Sequence, residues 1–302
     1  MTSQPARQRV AVIGVGIMGS AIARRLLECG HAVCVFDLDS ARVAEMARHG
    51  ARAAGSAAAA AAASDFVITS LNSAAVVERA LFGETGVAAA EPADSRRLLI
   101  DMSSIDPVST RRLAQSLRER TGMGFVDAPL SGGAPKALLG QLTVMAGGSE
   151  DDVARARAVM DSLCANYTRM GESGAGQTTK LVNQLLCAIG FQAVAEAVRL
   201  AEAGGVDASK LHAALAGGRA DSQILREFGP KMAARDFTPT GRIDNMLKDL
   251  EAVQAFAQGE RLPLPLPLAG AVSELHRAFV AAGLGAEDTA AMMRQFNGYA
   301  RD

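Results

Sequence analysis

The stretch Gly176-Gln-Thr-Thr-Lys180-Leu-Val-Asn183-Gln184 carries an ammonium and two carboxamides at the start of a long apolar run. In a helix, positions 180, 183 and 184 share one face, because residues three and four apart are neighbours. That trio suits proton exchange with a small polar substrate, with Lys180 as acid or base and the amides of Asn183 and Gln184 as orienting groups. A solvated patch near a helix start is the other reading. It has a cost, since a lysine near a helix N-terminus opposes the dipole. The same dipole, with partial burial, favours loss of the proton, as exchange near neutral pH requires. A second segment, Asp127-Ala-Pro-Leu-Ser-Gly-Gly-Ala-Pro-Lys136, runs from a strand into Ser131, Gly132 and Gly133. Bare N–H groups and a hydroxyl there can hold a carboxylate or hydroxyl of a small molecule; an ordinary tight loop would look the same. The third, Met246-Leu-Lys248-Asp249-Leu250, reads on its own as a surface helix with an Asp244–Lys248 pair at i,i+4.

Ahead of these lies a glycine fingerprint. The apolar run Val10–Ile13 meets Gly14, Gly16 and Gly19, a helical pattern follows from Ile17 and Met18 to Leu27, and a second strand, His31–Phe36, ends on Asp37. Gly14 permits a tight turn, Gly16 lets the backbone approach a pyrophosphate, and Gly19 lets helix and strand pack closely. The first N–H groups of the helix and its dipole favour phosphate. Asp37 is placed to accept hydrogen bonds from the adenosine ribose, which points to NAD. A 2′-phosphate would meet Asp37 and Asp39, with Arg42 the nearest cation, one turn into the next helix.

The elements that must position these groups follow from periodicity. Up to about residue 170, strand-like runs alternate with helix-like segments, the pattern of a parallel sheet covered on both faces. Expected helices lie at 41–49, from Ser56 through the alanine tract, and at 107–120 behind Asp106; expected strands lie at 66–71, 98–101, 124–128, 142–146 and 167–170. From Gly174 onward the chain reads as helix, broken at Gly204-Gly205, Gly217-Gly218, 239–241 and the Leu-Pro stretch 262–268. A helix over 176–203 would be about 40 Å long at 1.5 Å per residue. Its Leu181, Leu185, Ile189, Val194 and Val198 cannot all face one neighbour, which predicts burial on both sides and a dimer or larger assembly.

Composition narrows the function. A net charge of −1 provides no field for nucleic acid, and no Trp with two Tyr leaves little surface for base stacking. Cys29, Cys34, Cys164 and Cys187 form no C-x-x-C pair and suit a reducing compartment. Four scattered His give no metal spacing, so no bound metal is expected. The polar start, residues 1–8, has no signal-like core, and the run 181–201 is interrupted by Gln184, Gln192, Glu196 and Arg199. A cytoplasmic protein with no membrane span is the expectation.

In this order behind the fingerprint, the segments resemble the β-hydroxyacid dehydrogenase family over essentially the whole chain. The resemblance rests on Gly14–Gly19, Asp101-Met-Ser-Ser104, Asp127–Gly133, Gly176–Asn183 and Lys248-Asp249-Leu250. It implies an α/β fold: an N-terminal Rossmann-type doubly wound sheet over residues 1–170, then an all-α domain, 171–302, built on a long interdomain helix. It implies an NAD-dependent oxidoreductase of small hydroxy acids or semialdehydes, working as a homodimer or homotetramer. Lys180 would be the catalytic acid/base, with Ser131, Gly132, Gly133, Asn183 and Gln184 on the substrate. Leu71, Asn72, Ser104 and Lys248 would line the cofactor. Two departures stand out: Leu71-Asn72 replaces the Leu-Pro of many relatives, and Gln184 replaces a second Asn.

Overall fold

Successive residues of the apolar runs point to opposite faces of one sheet, and both faces are covered. Val10 and Val12 join one buried cluster, Ala11 and Ile13 the other. The same split separates Leu98 and Ile100 from Leu99. Strands buried on both sides read as continuous rather than alternating apolar runs. The computed structural model describes residues 7–259 and 263–299. Residues 1–6 of the polar start and 262 of the Leu-Pro stretch lie outside the described residues.

Two compact units make up the chain, residues 1–180 and 181–302. In the first, the strands are β1 (Arg9–Ile13), β2 (Ala32–Phe36), β3 (Arg52–Ala53), β4 (Phe66–Thr69), β5 (Leu98–Asp101), β6 (Gly124–Asp127), β7 (Leu130–Ser131), β8 (Leu142–Gly147) and β9 (Cys164–Gly171). Their order is β3-β2-β1-β4-β5-β6-β8-β7, with β9 on β8. The run from β3 to β6 is the parallel order of dinucleotide-binding sheets. The far side of the sheet departs from the parallel pattern. There β8 pairs antiparallel with β6, at Asp127 and Gly147, and with β7. Only a short turn separates β6 from β7, and β8 returns along β7 after one short helix, leaving no room for a parallel crossover.

Helices α1 (Ile17–Glu28), α2 (Ser40–Arg48), α3 (Ala57–Ala62), α4 (Ala74–Phe82), α5 (Pro107–Thr121), α6 (Gly133–Leu138) and α7 (Glu150–Met160) connect the strands. Local chemistry sets their starts. Ser56 accepts from the Ala59 N–H, and Asp106 from the Ser109 N–H with Pro107 at the first helical position. Three helices were not expected, α4, α6 and α7, although α4 and α7 have the same kind of serine cap, Ser73 and Ser149.

The long helix, α8 (Ala175–Ala203), begins in the first unit and continues into the second. The second unit adds α9 (Leu211–Ala214), α10 (Gln223–Ala234), α11 (Ile243–Gly259) and α12 (Pro267–Ala281), then a 3-10 segment, Thr289–Asn297. Each expected break holds where it is described, except that Pro267 and Leu268 already belong to α12; a further break, after α12, was not foreseen. By length and composition α8 could cross a membrane. Its Ala188, Phe191, Val194, Ala195 and Val198 are instead buried in apolar clusters of the helical unit. Within one chain the expected burial on both sides is not met: Val182, Leu186 and Leu200 are exposed.

Candidate active site

The fingerprint folds as its spacing requires. Gly14 sits at φ +87°, its N–H donating to the Phe36 carbonyl at 2.9 Å. A Cβ on Gly19 would overlap the Gly14 carbonyl oxygen, so the helix packs on the turn only with glycine there. At Gly16 a Cβ would meet only the Arg42 guanidinium, at 3.7 Å, which leaves an open approach to the backbone. No side chain caps α1, whose first residues are the exposed Ile17 and the part-buried Met18. This open turn at a helix start fits a pyrophosphate. It lies at the C-terminal ends of β1, β2 and β4, where the strand order reverses.

Asp37 is fixed by that turn. Its carboxylate accepts the Val15 N–H at 2.8 Å and the Asp39 N–H at 2.9 Å. Arg42 is paired with Asp39 at 3.2 Å.

Further along the same edge, the loops after β4, β5 and β6 meet through buried polar groups. Asp101 accepts from Thr69 Oγ1 at 2.8 Å and from the Ser103 N–H at 3.1 Å. Ser103 Oγ in turn accepts the Leu71 N–H at 3.0 Å. Ser103 is buried and holds Leu71, whereas Ser104 and Asn72 are exposed. Nothing in the spacing distinguishes neighbouring serines in a loop.

Burial pushes the Asp101 carboxyl above its ordinary value, and the neighbouring Asp127 carboxylate adds to that, against opposing bonds from Ser103 and Thr69. Its Oδ2 has no hydrogen-bond partner among the described residues. A raised folded-state pKa gives stability that is complete below the unfolded value, about 4, and is lost as pH rises through the folded value. Asp101→Asn cannot ionise. Urea titrations at several pH values should therefore show the variant gaining on wild type as pH rises from about 4 to 8. A constant difference would refute the raised pKa of Asp101.

Lys180 lies in the second turn of α8. Its Nζ donates to the Leu130 carbonyl at 2.9 Å, immediately before Ser131. The structure thus brings Lys180 to the Ser131–Gly133 loop, where Gly132 and Gly133 are exposed and both have positive φ.

Asn183 and Gln184 are described within the second unit. Gln184 Oε1 accepts from Asn183 Nδ2 at 2.8 Å, and its Nε2 donates to Asp249 of α11. Both ends of the Gln184 amide are engaged. Lys248, beside Asp249, is exposed. The expected Asp244–Lys248 pair is replaced by Asp244 with Arg242. Asp249, Ser103, Gln177 and Asp127 received no role from sequence; for Ser103 and Asp127 a polar residue ending or following an apolar strand was the available signal, whereas Gln177 and Asp249 lie within α8 and α11.

The parallel nucleotide-binding sheet, the open glycine turn and the lysine beside a Ser-Gly-Gly loop define a nicotinamide-dinucleotide-dependent oxidoreductase. Residues 9–171 match the profile of the NAD binding domain of 6-phosphogluconate dehydrogenase. Residues 174–296 match that of the NAD-binding domain of NADP-dependent 3-hydroxyisobutyrate dehydrogenase. The chain is similar to 2-hydroxy-3-oxopropionate reductase of Escherichia coli, 34% identical over 286 residues, covering 95% of this chain and 96% of that one. It is also similar to L-threonate dehydrogenase of Cupriavidus necator, 32% identical over 96% of this chain and 97% of that one. Among solved structures, 3-hydroxyisobutyrate dehydrogenase of Mycobacterium tuberculosis with L-serine superposes with a TM-score of 0.86 at 30% identity, covering 96% of this chain and 99% of that one. The chain belongs to the β-hydroxyacid dehydrogenase family, and is an enzyme acting on hydroxy acids with a nicotinamide dinucleotide.

Proposed function

We propose that the chain interconverts a small 3-hydroxy acid and its semialdehyde with NAD(H), the preferred pair being glycerate and 2-hydroxy-3-oxopropionate. The observation that carries the reading is the Lys180 ammonium held at the Leu130 carbonyl, next to Ser131, Gly132 and Gly133. The bound nicotinamide supplies hydride chemistry. The protein's own residues bind, orient and move the proton. Gly14, Gly16, Ile17, Met18, Gly19 and Asp37 would hold the adenosine and pyrophosphate, and Leu71, Asn72 and Ser104 would line the cofactor. The Ser131–Gly133 loop would take the substrate carboxylate, and Asn183 the reacting oxygen. Lys180 gives that oxygen a proton in reduction and takes it back in oxidation. The role of Lys248 on the cofactor rests on family resemblance and is tested by Lys248→Ala.

A substrate panel decides among family activities. With NADH, 2-hydroxy-3-oxopropionate should give the highest kcat/KM. Higher values for 3-hydroxyisobutyrate or L-threonate with NAD would reassign the substrate, since one methyl or hydroxyl is worth only about 1–3 kcal/mol. No turnover on any of them would favour a dinucleotide-binding sensor.

NAD should be preferred to NADP by at least about tenfold in kcat/KM, because a 2′-phosphate would face the Asp37 carboxylate and would have to draw Arg42 from Asp39. Equal or better kcat/KM with NADP would reject this assignment.

A soluble, cytoplasmic homodimer or homotetramer completes the reading. Leu186 is 64% and Leu200 75% exposed along α8, an apolar surface that a second subunit would cover. Light scattering at micromolar concentration should give a dimer mass or more; a monomer mass would end the proposal.

A further inference from the structure

A helix N-terminus leaves its first N–H groups without intrahelical partners, and usually a Ser, Thr, Asp or Asn at the cap takes one. α8 is preceded by Gly174, which has no side chain for this task. A carboxylate from β6, almost fifty residues away, takes its place. Asp127 Oδ1 accepts the Gly174 N–H at 2.8 Å and Oδ2 the Gln177 N–H at 3.0 Å. Space for that carboxylate is made by two glycines. A Cβ on Gly147 would lie 2.5 Å from Asp127 Oδ1. One on Gly176 would lie 2.7 Å from Oδ2 and 2.5 Å from the Met145 carbonyl oxygen.

Gln177 continues the connection in the other direction. Its side chain is buried, with Nε2 donating to the Ser103 carbonyl at 2.7 Å and Oε1 accepting the Ile105 N–H at 3.4 Å. Ser103 holds the Leu71 N–H. One residue thus receives Asp127 on its main chain and grips the loop after β5 with its side chain. Lys180 follows three residues on, just under one helical turn. Its ammonium meets Leu130, three residues beyond Asp127 in the strand segment that also supplies Ser131.

We propose that Asp127 and Gln177 are positioning residues for proton transfer: together they set the first turn of α8 so that Lys180 Nζ stands beside the Ser131–Gly133 loop in register with the Leu71 loop. The inference rests on Lys180 being the proton-exchanging group. Neither residue needs to touch substrate. Both act through the place they give Lys180, and misplacement of a reacting group by about 1 Å costs up to about a hundredfold in rate.

A double-mutant cycle on the full chain, with NADH and its best substrate, tests this. Gln177→Leu should lower kcat by about 10- to 100-fold while KM for NADH changes by less than about threefold, because the far end of the cofactor is held by the glycine turn. In a Lys180→Ala background the same change should cost less than about twofold more. Asp127→Asn, which retains one accepting oxygen, should lose less activity than Asp127→Ala. Gln177→Leu with wild-type kcat, or with an equal loss in both backgrounds, would overturn the proposal, since it would then act elsewhere than through Lys180. Should the variants fail to fold, hydrogen exchange on the wild-type enzyme decides. The Gly174, Gln177 and Leu71 amides should exchange at least about a hundred times more slowly than those of Gly132 and Gly133, and equal rates would also overturn it. A Lys180→Ala enzyme as active as wild type would refute the function itself, a different result.

Discussion

Lys180→Ala lowers kcat by at least about a hundredfold on the best substrate, and NADH affinity changes little. Alkoxide charge builds on the substrate oxygen as hydride moves, and a neighbouring ammonium relieves it by giving a proton. Assistance of this kind is worth about a hundred- to ten-thousand-fold. The Lys180 Nζ–Leu130 bond places the ammonium at the start of the Ser131 loop, while the glycine turn would bind the far end of the cofactor. Lys180→Arg does not rescue, because a guanidinium keeps its proton at any working pH. Steady-state kinetics with fluorescence titration of NADH separates the two effects. Near-wild-type kcat in Lys180→Ala would remove both the mechanism and the catalytic reading of this chain.

Gly19→Ala is the second large effect, and it acts on fold and cofactor together. The added methyl would overlap the Gly14 carbonyl oxygen, a backbone atom that moves only with the whole turn. Overpacking a tight contact costs about 1–3 kcal/mol and occasionally more. Replacing glycine by alanine inside a helix returns about 1 kcal/mol. The net loss should therefore reach about 2 kcal/mol in urea unfolding. NADH affinity should fall by about tenfold or more, as charge-assisted bonds from the displaced turn weaken. Gly270→Ala is the control: it lies within α12, a Cβ there meets nothing within 4 Å, and its stability should be unchanged or higher. An unchanged urea midpoint and NADH affinity in Gly19→Ala would show that helix and turn are not in contact.

Much of this site is carried by short-range spacing. The Gly14–Gly19 turn, the strand ending on Asp37 and the caps at Ser56 and Asp106 each depend on residues within a few positions of one another, so type and spacing alone specify the backbone they need. The long helix over Lys180 and Asn183 was legible for the same reason. Family resemblance added roles for Leu71, Asn72, Ser104 and Lys248 that the residues alone did not suggest.

What the tertiary structure decided involves partners far apart in the chain. Ser103 rather than Ser104 holds Leu71, because the loop after β5 turns one hydroxyl inward and leaves its neighbour in solvent. The reversal of β8 follows from β7 and the short α6 leaving no length for a crossover, which apolar periodicity does not register. Asp127 reads in sequence as the polar end of a strand. Only folding brings it under α8, where a buried carboxylate must find donors and a helix start must find an acceptor. Spacing along the chain specifies local backbone, while the pairing of buried polar groups depends on which distant strands and helices pack together.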